Sequence, residues 1–278
     1  MPNASSDRRD EFIKDRKYLL NVSDHTVSWY RHALYKWLPS DSPSDAELKS
    51  TVIRMREAGL KPTGCNAAIR AINAYLKWAG SGLKVPKLKE PQTVMPTFTE
   101  AQVTLLLKHR ATSFYGRRLH LLVLLLLDCG CRISEALNIR VEDLNADDLL
   151  LTLHGKGRKD RIVPISLEFR KAVFRYIRDY SPKGWLLASK GGDRLGRCVM
   201  LRNVKDLCRD LGFEPPPRTL HAFRHTWAVN YVRQGGSVFH LQQALGHSTL
   251  EMSRRYSCLN TADLSAMQET TSILRRLG

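Results

Sequence analysis

The stretch from Gly80 to Pro96 constrains this chain most, because prolines stand at 86, 91 and 96 with Lys84, Lys87 and Lys89 among them. Proline fixes φ near −65° and has no N–H to donate, so the stretch can be neither a helix interior nor a central strand. An extended strap is the conformation left to it. Apolar residues recur at helical spacing on both sides, so the chain reads as two helical units: 1–83, a linker over 84–97, and 98–278. The 278-residue length fits two domains of roughly 150 residues each.

Four helices are expected between Asp7 and Ala79. Val27, Tyr30, Leu34, Trp37 and Leu38 form one apolar stripe. Ser44-Asp45-Ala46-Glu47 has the form of a capping box and should open the third helix, and Thr63 or Gly64 the fourth. In the second unit Thr99 to Gln102 is another capping box, followed by an apolar helix over about Gly116 to Asp128 and, after Arg132, a short one through Leu137. Two β-rich runs, Leu149 to Leu153 and Arg161 to Ile165, read as a hairpin around Gly155-Lys156-Gly157-Arg158-Lys159-Asp160. Further helices are expected over Leu167–Tyr180, Arg197–Leu211, Leu220–Gln234, Val238–Leu245, Leu250–Tyr256 and Ala262–Leu277. The fold class is therefore mainly α with a small antiparallel β-sheet in the second domain.

Charge narrows the partner. Subtracting 27 Asp+Glu from 44 Lys+Arg leaves +17, spread over both halves, which suits a polyanion such as nucleic acid. The longest apolar run, Leu121 to Leu127, is far shorter than the ~18 residues of a membrane span. The amino terminus lacks a secretory pattern, so a cytoplasmic protein with no membrane partner is expected. Six scattered cysteines without C-x-x-C spacing read as reduced thiols.

The chemistry-bearing residues lie in the second unit. His221 and Arg224 stand three apart on one helical face and can reach one ligand. Arg132 sits at a loop-to-helix junction, Lys156 in the hairpin turn, His247 in a Gly-His turn, and Tyr256 nine residues further on. Guanidinium forks match the non-bridging oxygens of a phosphodiester, and a lysine can donate a proton.

In that order, these residues resemble the tyrosine recombinases, the phage-integrase-type site-specific recombinases. The resemblance covers nearly the whole chain. It implies a two-domain DNA clamp: a helical core-binding domain, a basic linker, and a catalytic domain, on the compact Xer-type plan without an arm-binding module before Asp7. It also implies a catalytic set of Arg132, Lys156, His221, Arg224, His247 and the nucleophile Tyr256, with Lys84, Lys87, Lys89, Arg158 and Lys159 as DNA contacts. The expected reaction cleaves and rejoins DNA strands through a 3′-phosphotyrosyl intermediate, for integration, excision or resolution, with no cofactor and no metal. The partner is a double-stranded recombination site, bound by a homotetramer in the synaptic complex and by a monomer free in solution, in a cytoplasmic, nucleoid-associated protein. The carboxy-terminal helix is expected to dock on a neighbouring protomer.

The implied chemistry is physically coherent. A phenol with pKa near 10 is only about 0.1% ionised at pH 7. Arg132 and Arg224 would favour the phenolate, His221 would take or relay its proton, His247 would hydrogen-bond the phosphate, and Lys156 would protonate the leaving 5′-oxygen. Alternatives remain at this point. Lys159, Arg158 and Arg161 compete with Lys156 as the acid. His221, His225 and His247 could form a metal-dependent hydrolase, although Ala222 stands where such a helix would carry its glutamate base. A non-cleaving DNA-binding protein and a type IB topoisomerase are the other readings. Phe223 and Trp227 are expected in the core.

Overall fold

The computed structural model describes residues 7–91, 95–155 and 160–246. The chain divides into two compact units, Met1–Thr93 and Val94–Gly278. The described residues of the first form four helices, α1 (Arg8–Tyr18), α2 (Asp24–Trp37), α3 (Asp45–Glu57) and α4 (Pro62–Trp78). Phe12, Leu34, Met55, Ile69, Ile72 and Tyr75 form its buried core. The expected capping box opens α3, with Ser44 and Glu47 each satisfying the other's backbone N–H. The fourth helix starts earlier than expected, because Pro62 occupies its first position, where a missing N–H costs nothing.

Residues 85–90 run along α4. Asn73 exchanges hydrogen bonds with the Val85 backbone at 2.9 Å in both directions. Asn66 does the same with Leu88, donating at 2.9 Å and accepting at 2.8 Å. These side chains supply the partners that a proline-containing strand could not find in a sheet. Val85 is buried while Lys84, Lys87 and Lys89 are exposed.

The second unit begins with α5 (Glu100–Lys108) behind the Thr99–Gln102 capping box and α6 (Phe114–Cys129), then α7 (Ile133–Ala136). A three-stranded antiparallel sheet follows, in the order β1 (Leu144–Asn145), β2 (Leu150–Leu153), β3 (Arg161–Pro164). The expected hairpin is β2–β3, with Leu151 opposite Val163. The two-residue β1 was not expected, being too short to show a period of two. After the sheet come α8 (Leu167–Tyr180), α9 (Arg197–Asp210), α10 (Thr219–Arg233) and α11 (Val238–Leu245); α8, α9 and α10 pack on α6, and α11 packs on β3. The buried face of α6, with Leu122, Leu125 and Leu126, centres a core that also takes in Leu151, Leu153, Phe169, Val204 and Phe223. The helices expected over 250–256 and 262–277 lie outside the described residues.

Candidate active site

The site is built on the turn between α6 and α7. Gly130 ends α6 in the left-handed region at φ 58°, which glycine adopts without strain. A Cβ there would also collide with the indole of Trp227. Trp227 Nε1 donates to the carbonyl of Asp128 at 2.8 Å. Helix α10 is thus locked against the turn that carries Arg132, the residue preceding α7.

Three guanidiniums then meet the last carbonyls of α11 and its cap, groups that have no partner within their own helix. Arg224 is buried and donates from Nη2 to the Leu245 carbonyl at 2.6 Å and from Nη1 to the Gly130 carbonyl at 3.0 Å. Arg161 Nε donates to the Ala244 carbonyl at 2.8 Å, and Arg132 Nη2 to that of Gly246 at 3.4 Å. Cations at a helix carboxy terminus also complement its dipole. The end of α11, capped by Gly246 just before His247, is therefore tied to α7, α10 and β3.

Glu135, which reading of the sequence missed, organises two of these arginines. It is 3% exposed. Its carboxylate accepts from the Arg132 backbone N–H at 2.7 Å and from Arg132 Nη1 at 2.8 Å. It also takes a bidentate pair from Arg161, both bonds at 2.9 Å. Burial alone would raise its pKa, but hydrogen bonds from Arg161 and Arg132 outweigh that and hold it at about 2. The R-x-x-E spacing at the start of α7 was the available signal. Arg161, a rival of Lys156 for the role of acid on proximity alone, is instead committed to Glu135 and the Ala244 carbonyl.

His221 lies on the same helix face as Arg224, an exposed residue in the otherwise buried first turn of α10. Desolvation, then the positive charges of Arg197, Arg224, Arg218 and Arg132, push its pKa below the usual imidazole value. The shift favours the neutral ring, which can accept a proton. His225 is more enclosed and lowered to about 4 by burial, with His221, Arg224 and Arg218 adding to the effect. Arg218, just before α10, has a left-handed backbone at φ 54°, an uncommon conformation for a non-glycine residue.

Of the six expected catalytic residues, the described structure brings together Arg132, His221 and Arg224. Lys156, His247 and Tyr256 lie outside the described residues, as do Arg158 and Lys159. Lys84, Lys87 and Lys89 belong to the other unit. Phe223 is buried in the core as expected, and Trp227 is partly buried on Gly130. Among the described residues no cluster of three His, Cys, Asp or Glu side chains could hold a metal ion. No described helix is long and apolar enough to cross a membrane.

Two arginines and a histidine from α7 and α10, Arg132, Arg224 and His221, thus lie close enough for their charges to interact. The phage integrase family model matches residues 96–262, and the chain belongs to that family. The tyrosine recombinase XerA of Pyrococcus furiosus is 28% identical over 264 residues, covering 92% of this chain and 91% of the relative. The tyrosine recombinase XerC of Rhodospirillum centenum is 32% identical over 232 residues, covering 74% and 67%. Among solved structures, the Tn1549 transposon integrase in complex with transposon right end DNA superposes with a TM-score of 0.77 at 20% identity, covering 95% of this chain and 99% of that one. A lambda integrase dimer bound to a core site gives 0.68 at 16% identity, covering 89% and 94%.

Proposed function

We propose that the chain is a site-specific DNA recombinase that cleaves and rejoins DNA strands through a 3′-phosphotyrosyl intermediate, for integration, excision or resolution of DNA. Membership of the phage integrase family and relatives named tyrosine recombinases support the reading. The observation that carries it is the convergence of Arg132 and Arg224 on the capped end of α11, next in sequence to His247, with His221 within reach of their charges.

In this reading Tyr256 Oη attacks the phosphorus, its proton passing to His221, while Arg132, Arg224 and His247 stabilise the charge of the pentacoordinate intermediate. Lys156 protonates the departing 5′-oxygen. The phosphotyrosyl ester retains the energy of the broken bond, so a 5′-hydroxyl from another strand can displace the tyrosine and reseal the backbone without ATP. The second unit is the catalytic domain and the first a DNA-binding domain, with Lys84, Lys87, Lys89, Arg158 and Lys159 facing phosphates. Exchanging two duplexes takes four cleavages, hence a homotetramer assembled on DNA from monomers. The protein acts in the cytoplasm, at the nucleoid.

The test is adduct formation on duplex DNA from the flanks of the encoding locus, carried out in chelator. A covalent protein–DNA species is expected with the wild-type chain and lost in Tyr256→Phe, which keeps non-covalent binding. Binding without an adduct, or turnover that requires a metal, would overturn the reading.

A further inference from the structure

His154 follows the last residue of β2, and Asp160 precedes the first residue of β3, so the two stand at the base of the β2–β3 hairpin. The imidazole lies between two carboxylates: Nε2 is 2.9 Å from Asp143 Oδ1, and Nδ1 is 3.0 Å from Asp160 Oδ2. Ionised carboxylates only accept hydrogen bonds, and a neutral imidazole has one N–H to give. Only the doubly protonated ring can donate in both contacts at once. Asp143 is itself fixed, since it ends the short helical turn Val141–Asp143 and its other oxygen accepts from the Arg140 backbone N–H at 2.8 Å. The guanidinium of Arg140 turns away to Glu142, at 3.3 Å. The bridge joins three separate pieces of chain, and none of it belongs to the arginine cluster.

We propose that His154 is a positioning residue for Lys156, closing the base of the hairpin by an ionic bridge to Asp143 and Asp160. The inference rests on the reading of Lys156 as the acid that protonates the leaving oxygen. Consecutive Cα atoms are about 3.8 Å apart, so Lys156, two residues after His154, stays within about 7 Å of it whatever path the chain takes. His154 is tied to Asp160 at 3.0 Å, so the two described residues at the base of the hairpin are held to each other. An untied base would leave the ammonium to search for its position, and misplacement by about 1 Å can cost on the order of a hundredfold in rate.

The experiment compares wild type, Lys156→Ala, His154→Ala and His154→Gln in single-turnover cleavage of the duplex identified by adduct mapping. Each is assayed with the natural 5′-oxygen and with a bridging 5′-phosphorothiolate, whose sulfur leaves without a proton. Circular dichroism and DNA binding report folding, and His154→Gln serves if His154→Ala does not fold. The expected result is a roughly tenfold to hundredfold loss for the His154 variants on oxygen, with DNA affinity unchanged and cleavage restored on sulfur, as for Lys156→Ala. Undiminished cleavage of the oxygen substrate would overturn the proposal, as would a loss that sulfur does not restore while it does restore Lys156→Ala. Failure of sulfur to restore Lys156→Ala would remove the acid role itself, and with it this inference, while the Tyr256 adduct would still stand.

Discussion

Glu135 holds Arg132 at both ends, accepting from its backbone N–H at 2.7 Å and from its guanidinium at 2.8 Å. The same carboxylate neutralises Arg161, whose side chain is 12% exposed. Removing one member of a buried pair leaves the other charged and desolvated, at a cost of about 3 to 5 kcal/mol. Glu135→Ala is expected to destabilise the chain by about that amount in urea titration and to lower cleavage at least tenfold. An unchanged denaturation midpoint would contradict the arrangement.

Acid should act through the same group. The Glu135 pKa is lowered in the fold from 4.5 to about 2. A carboxylate lowered on folding contributes stability above its unfolded pKa, and that contribution is lost as pH falls through the folded value. On the order of 3 kcal/mol should disappear between about pH 4.5 and 2, and the loss should be absent in Glu135→Gln. Stability measured by denaturant across that range checks it.

His154 moves the other way. Hydrogen bonds donated by its ring to the Asp143 and Asp160 carboxylates raise its pKa above 6.5. A histidine raised on folding contributes fully below its unfolded pKa, and the contribution fades as pH climbs through the folded value. NMR titration of the His154 ring should give a midpoint above 6.5, dropping back in Asp143→Asn.

Gly130 tolerates no side chain. Alanine there would meet the Trp227 ring and take a left-handed backbone, φ 58°. Strain and overpacking together should cost about 2 to 4 kcal/mol. Because Arg224 is held by the Gly130 carbonyl, cleavage should fall with stability. Gly130→Ala with a wild-type melting temperature would sink the account.

The strap lysines give a salt-dependent expectation. Lys84, Lys87 and Lys89 are exposed on a segment fastened to α4. Each phosphate neutralised on duplex DNA adds about 0.9 to the slope of log affinity against log salt. Replacing all three by alanine should lower that slope by up to about 3 units, read by fluorescence anisotropy at several salt concentrations. An unchanged slope would remove them from the DNA interface.

Much of the fold was legible because its signals are local. The spans of α8 and α11 match the apolar periodicity residue for residue, and both expected capping boxes close with their side chains in place. The start of α4 was misjudged by one or two residues because Pro62 outweighed the small polar residues after it. The strand β1 left no pattern to detect at two residues. In the site, His221 and Arg224 were legible as a pair because a helix fixes which residues share a face.

The sequence by itself determined the helical make-up of both units, the excess of positive charge, and the order of residues that marks the family. Each depends on spacing within a few residues or on composition, which a linear chain carries openly. The tertiary structure decided which charges are spoken for. Arg161 reads as one more cation of the hairpin until the fold brings up Glu135, 26 positions away, to hold it. Arg224 and Gly130 are 94 positions apart, and Arg132 and Gly246 are separated by 114. A guanidinium takes whichever acceptors the packed helices bring within about 3 Å, and that choice is made only when the core around α6 closes.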